Sequence, residues 1–155
     1  MILLTWLTIL SKTIVTEPVE TANRLRPVLL QLARQLRREV HPLGVTGGQV
    51  SLLVAIKQSP GIGVRELAAR EGISPAGMSG HVDRLEAARL VRRTAVGGDK
   101  RRVGLELSDA GMRVLRLVRS RRTAWLAARL KNLTPAEIEA IDAAIEPLSQ
   151  LLDAE

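Results

Sequence analysis

Residues 63–108 read G-V-R-E-L-A-A-R-E-G-I-S-P-A-G-M-S-G-H-V-D-R-L-E-A-A-R-L-V-R-R-T-A-V-G-G-D-K-R-R-V-G-L-E-L-S. The opening predicts a helix over 64–70, with Val64, Leu67 and Ala68 at helical spacing on one small apolar face. Gly72 ends it, because glycine takes the left-handed conformation without a Cβ penalty. Ser74-Pro75 opens a second helix. Serine caps the free N–H groups, and proline suits the first helical position, where its missing N–H would be unpaired anyway. Met78, Val82 and Leu85 repeat at i, i+4 and i+7 and face the core, which leaves Pro75, Ala76, Ser79 and Gly80 outside. Two short helices joined by a glycine turn form a helix-turn-helix, a motif whose second helix enters a DNA major groove. Residues 90–94 and 102–107 then read as two strands, the second alternating Val103, Leu105 and Leu107. The turn between them, Val96-Gly97-Gly98-Asp99-Lys100-Arg101, is glycine-rich and cationic, so the hairpin has a basic tip.

A basic hairpin after a helix-turn-helix is a wing, and here the pattern becomes specific. The run D-K-R-R-V-G-L-E-L-S-D-A-G over 99–111 resembles the Asp-x-Arg wing signature of MarR-family transcriptional regulators, with its Leu-Ser/Thr-x-x-Gly entry into a helix. The run I-S-P-A-G-M-S-G-H-V-D-R-L-E-A-A-R-L-V-R-R over 73–93 is similar to that family's recognition helix. Motif by motif, the resemblance covers residues 19–152. It implies a mainly α fold with a small β-hairpin wing. The winged helix-turn-helix would occupy 45–107, flanked by helical dimerisation segments over 17–44 and 108–155. It implies a homodimer on a roughly palindromic duplex, with half-sites about one helical turn apart, near 34–36 Å. Repression of a nearby promoter, relieved by a small aromatic or anionic effector, is the expected action.

The same resemblance assigns residues. Arg101 is expected to reach the minor groove, with Asp99 orienting it, and Lys100 and Arg102 are phosphate candidates. Ser74, Pro75, Ala76, Ser79 and Gly80 are expected to face the major groove, with Arg84 near a phosphate. By location alone, Arg37, His41, Met112 and Arg116 are placed at an effector site. Two departures stand out. Gly77 and Gly80 occupy positions where the family often has a hydroxyl residue and an arginine, and neither can hydrogen-bond a base edge. Direct readout by this helix is therefore expected to be thin, with close backbone approach, shape readout and the wing carrying more of the specificity. Arg89 stands where a glycine commonly ends the helix. Either it adopts the left-handed conformation at some cost, or the helix runs on.

Composition narrows the alternatives. The 155 residues suffice for one domain with its own core. Formal net charge is +7, and the only aromatics are Trp6 and Trp125, which argues against a reader that stacks single-stranded bases. There is no cysteine, so disulfides and thiolate metal sites are excluded. With only His41 and His81, no metal or other cofactor is expected. No nucleophile sits beside a base and no carboxylates pair at catalytic spacing, so an enzyme is not expected. Residues 108–131 carry seven cations against Asp109, whereas residues 132–155 carry six carboxylates and no cation.

The flanks read as helices. Residues 1–15, M-I-L-L-T-W-L-T-I-L-S-K-T-I-V, are too short to span a bilayer, which needs roughly 20 apolar residues. The segment over 1–16 is left open between an apolar leader and an added dimer segment, with a membrane or export signal ranked behind both. No membrane partner is expected, and a cytoplasmic location is. A helix over 19–40 carries Leu25, Val28, Leu29, Leu32, Leu36 and Val40 on one stripe, with Pro27 either kinking it or in its first turn. Thr46-Gly47-Gly48-Gln49 is a capping box for a helix in which Val50, Leu53 and Val54 face inward. Ser108 caps a helix to Leu130, about 35 Å long, with apolar residues too widely spread for one neighbour to cover. Thr134, Pro135 and Glu137 open a last helix with Ile138, Ile141, Ile145, Leu148 and Leu152 as its stripe. Exposed stripes on terminal helices of opposite charge favour association. Two other readings stay open: a winged-helix module for protein–protein contact, and a constitutive DNA-organising protein without an effector.

Overall fold

The computed structural model describes the backbone of residues 18–96 and 99–152, and the side chains of these except 96 and 99–102. The leader over 1–16, the turn glycines Gly97 and Gly98, and the side chains of Asp99, Lys100, Arg101 and Arg102 lie outside the described residues. The helices are α1 (Pro18–Arg38), α2 (Gly47–Gln58), α3 (Val64–Arg70), α4 (Pro75–Ala87), α5 (Asp109–Leu130) and α6 (Pro135–Gln150). Strands β1 (Val91–Val96) and β2 (Asp99–Leu107) form an antiparallel hairpin between α4 and α5. The mainly α fold with one small hairpin is therefore as the sequence implies.

The described residues divide between Gln35 and Leu36 into two compact units. In the first, α1 exposes Val28, Leu29, Leu30 and Leu32. Pro27 lies in the interior of α1, past its first turn, where it removes one backbone donor.

The second unit holds the core. Leu53 and Ile56 of α2, Leu67 of α3, Met78, Val82 and Leu85 of α4, and Leu105 of β2 are completely or almost completely buried. Helices α2, α4, α5 and α6 each start where a side-chain oxygen satisfies a free N–H, whereas α3 starts at Gly63 without a side-chain cap. Thr46 Oγ1 accepts from Gln49 N at 3.2 Å, while Gln49 Oε1 accepts from Thr46 N at 2.8 Å. Thr134 and Glu137 close the same box on α6. There the Thr134 N–H, and after it the Thr134 hydroxyl, hold the Glu137 carboxyl below its usual range.

Two features of this core differ from the sequence expectation. Val54 was expected to face inward but is 39 % exposed, whereas Leu52 and Ala55 are buried. The reason is that α2 is central: it packs against both β2 and α5, so its buried arc is wide and Val54 falls at the edge of it. The segment after α2 is more than a turn. Gly61 N donates to Leu105 O and Leu105 N to Ile62 O, each at 2.9 Å, which pairs Ile62 with β2 as a third short rung.

The long helices α5 and α6 contribute little to this core. On α5 only Gly111 and Val118 are buried, and on α6 no residue is. Ile138, Ile141 and Ile145 form an exposed apolar stripe along α6.

Candidate nucleic-acid interface

The candidate interface consists of α4, the hairpin and the joint that sets one against the other. Ser74 Oγ accepts from Gly77 N at 3.2 Å, so the N-cap fixes where α4 begins. With Met78, Val82 and Leu85 at zero exposure, the orientation of α4 about its axis is set by burial. That leaves Ser74, Pro75, Ala76, Gly77 and Arg84 exposed and Ser79 and Gly80 half-buried. The Ser74 hydroxyl is occupied as a cap, and Ser79 Oγ donates to Pro75 O at 3.0 Å. The outer face is thus nearly free of side chains able to reach outward. Arg84 is the exception.

Gly80 has room. A Cβ built there meets only Arg84 Nη1, at 4.0 Å, and glycine inside a helix costs about 0.5–1 kcal/mol against alanine. Gly80→Ala is therefore expected to raise stability by about that amount, as an increased midpoint in urea denaturation. An unchanged or lowered midpoint contradicts the open space.

The end of α4 resolves the Arg89 alternatives. Arg89 takes φ +57 and the helix stops. Leu90 N donates to Leu85 O at 2.9 Å and Arg89 N to Glu86 O at 2.8 Å, a complete Schellman cap with arginine in the glycine position. The conformation costs roughly 1–2 kcal/mol. It turns Leu90 and Val91 into the core, where both are buried. The start of α5 then locks onto this turn. Ser108 Oγ donates to Arg89 O at 2.6 Å and accepts from Gly111 N at 3.0 Å, and Ser108 N donates to Leu90 O at 3.0 Å.

The strands are braced to α4 by a residue that the sequence reading missed. Arg93 on β1 places Nη2 2.8 Å from Asp83 Oδ1 and Nε 2.8 Å from Glu86 Oε2, both on α4. One guanidinium thereby ties the hairpin to the helix and offsets one of the two negative charges that would repel phosphates. Arg92 pairs across the strands with Glu106 at 3.0 Å. The spacing of Asp83 and Glu86 on one helix side was visible in the sequence, but nothing local pointed to Arg93 as their partner. The side chains of Asp99, Lys100, Arg101 and Arg102, expected to act at the wing, lie outside the described residues.

The expected effector residues come from α1, the turn after it and α5. Arg37 lays its stem against Gly47, with Cδ 3.2 Å from where a Cβ would stand. His41 is exposed in a short 3-10 turn, and Arg116 is exposed on α5. Met112 lines a cavity with Ile56, Lys57, Pro60, Glu106 and Leu107. A larger cavity of about 460 Å³ lies between α2 and α5. Val50, Val54, Leu115, Val118 and Leu126 form its apolar walls, and Lys57, Arg119 and Arg122 stand around it. Two arginines of α5 also secure the end of α1: Arg122 Nε donates to Leu36 O at 3.2 Å and Arg121 Nε to Glu39 O at 3.0 Å. Cations there satisfy carbonyls that a helix end leaves unpaired.

The chain compares consistently with known proteins. A model described as the MarR family matches residues 43–102. The HTH-type transcriptional repressor MdtR of Bacillus subtilis is 29% identical over 114 residues, covering 74% of each chain. A solved transcriptional regulator from Pseudomonas aeruginosa superposes with a TM-score of 0.75 at 29% identity, over 88% of this chain and 96% of its own. An S. aureus MepR variant bound to an oligodeoxyribonucleotide shares the fold, with a TM-score of 0.66 at 18% identity, over 85% of this chain and 97% of its own. No described helix is long and apolar enough to cross a membrane. The wing motif, the capped helix α4 braced to a hairpin, the family-model match and the shared architecture converge: the chain has a winged helix-turn-helix fold, and over residues 43–102 it is similar to the MarR family of transcriptional regulators.

Proposed function

We propose that the chain is a sequence-specific repressor that binds duplex DNA as a homodimer and is released by a small anionic effector. The observation that carries the reading is the bare, exposed outer face of α4 beside a hairpin with a cationic tip. A surface without bulky side chains lets a groove approach closely, and the cations supply the phosphate attraction. The MepR variant solved with an oligodeoxyribonucleotide, which shares the fold, supports DNA as the partner.

The dimer is supported by the uncovered stripes of α1 and α6, too contiguous to be scattered surface residues. The segments over 17–44 and 108–155 would serve as the dimerisation region, and a palindromic operator follows from two-fold symmetry. The α2–α5 cavity suits the effector: its volume lies in the range of small-molecule sites, its walls are apolar and its rim is cationic. An aromatic acid would set its ring against Val54 and Leu115 and its carboxylate toward Lys57, Arg119 or Arg122. Such a ligand, seated between a helix of the winged lobe and α5, shifts the spacing of the paired α4 helices.

Gel shift at graded salt tests the function. Binding should fall steeply as salt rises, because counterions are released from the phosphates. Arg101→Ala should abolish most of the affinity. Lys100→Ala should weaken all duplexes alike and lower the salt slope by about one. Loss of binding to every duplex at low salt points instead to a protein–protein module, and unchanged affinity in Arg101→Ala refutes the wing assignment.

A further inference from the structure

We propose that Arg84 is the base-reading residue of α4. Its guanidinium, laid over bare Gly80 and held by His81, takes a guanine edge in the major groove in place of the side chain that position 80 lacks. The proposal rests on the duplex-binding reading above and goes beyond it by naming the residue and the base.

Placement comes first. Helical side chains lean toward the N-terminus of their helix, so the path of Arg84 runs back over residues 80 and 81. The 4.0 Å approach of Arg84 Nη1 to the position of a Cβ on Gly80 shows that the guanidinium stands beside the glycine. Arg84 therefore delivers its charge about one turn nearer the N-terminal end of α4, the end that enters the groove. With Ala76 and Gly77 on the same side, no longer side chain of α4 intervenes there.

Positioning comes from His81. Arg84 Nη2 lies 2.9 Å from His81 Nδ1. A guanidinium is always a donor, so this bond needs the Nδ1 lone pair and places the ring proton on Nε2. A neutral acceptor orients the guanidinium without neutralising it. Arg93 shows the contrast, because its two carboxylates consume its charge. The bond to His81 uses one hydrogen of Nη2, which leaves Nη1 and the second Nη2 hydrogen as a fork.

Chemistry supplies the base. Arginine's paired donors match O6 and N7 of guanine, the commonest specific contact in the major groove. A phosphate contact would need neither the bare glycine nor the histidine, since a phosphate accepts from many directions. A fork held in place loses less rotamer freedom when it binds a planar edge.

The test is selection of bound sites from random duplexes with the wild type, Arg84→Ala, His81→Ala and the double variant. Affinities are then measured for the four base pairs at the preferred position. The wild type should prefer guanine at one position per half-site. Arg84→Ala should erase that preference, a loss of about 5- to 150-fold in discrimination, with far smaller change on the non-preferred duplexes. His81→Ala should reduce the same discrimination in the wild-type background and do nothing further in Arg84→Ala. Arg84→Lys, which keeps the charge and loses the fork, should resemble Arg84→Ala and covers the case in which the alanine variant folds poorly. If Arg84→Ala lowers affinity equally for all four base pairs and drops the salt slope by about one, Arg84 is a phosphate contact and the proposal fails. A wild type that binds no duplex refutes the proposed function instead.

Discussion

Gly111→Ala is expected to destabilise the protein by about 2 kcal/mol, net of the helix propensity that alanine gains. A Cβ at residue 111 would stand 2.2 Å from Leu90 O and 3.2 Å from Leu90 C. Both are backbone atoms, so no side chain can swing aside. Leu90 O is also engaged by Ser108 N, and Leu90 follows the left-handed Arg89 that ends α4. Making room means moving the α5 start, the Arg89 turn or both. For a chain of this size the melting temperature should fall by roughly 4–8 °C, read at fixed protein concentration because association shifts the midpoint. Since that joint aims α4, duplex affinity should fall as well. Gly80→Ala, the same chemical change in open space, is expected to act in the opposite direction. A Gly111→Ala protein as stable as the wild type would show that α5 does not approach Leu90 as described.

The second large effect concerns assembly. Ile141 and Ile145 lie 45 % and 56 % exposed on α6, which buries none of its residues. On a surface that stays wet, glutamate at both positions changes stability by no more than about 0.5 kcal/mol each. On a face buried by a second copy, two carboxylates would enter an apolar seam beside Glu146 and Asp142, where burial and like charge both penalise them. The Ile141→Glu/Ile145→Glu variant is therefore expected to raise the dimer dissociation constant by at least ~100-fold, about 3 kcal/mol. It should sediment as a monomer at micromolar concentration and bind a two-half-site duplex no better than a single half-site. A variant that remains dimeric would place the interface elsewhere.

The sequence alone determined the elements and their ends, because those are local. Thr46 with Gln49, Ser74 with Gly77, and Thr134 with Glu137 each close a turn within three residues, and the core side of α4 follows from the spacing of Met78, Val82 and Leu85. The helix-turn-helix and the hairpin after it were legible for the same reason. What only the tertiary structure decided involves partners far apart in the chain, where no periodicity or spacing carries the information. Arg93 finds Asp83 and Glu86 only when β1 folds back along α4. Ile62 becomes a rung of the sheet only once Leu105 lies beside it, and Val54 is left outside the core because the arc of α2 that is buried runs through Leu52, Leu53, Ala55 and Ile56. Arg89 is the clearest division between the two. Its sequence neighbourhood permitted two backbone paths, and the choice fell to the burial of Leu90 and Val91 and to the Ser108 hydroxyl on the Arg89 carbonyl. Together these contacts outweigh the steric cost of a left-handed arginine.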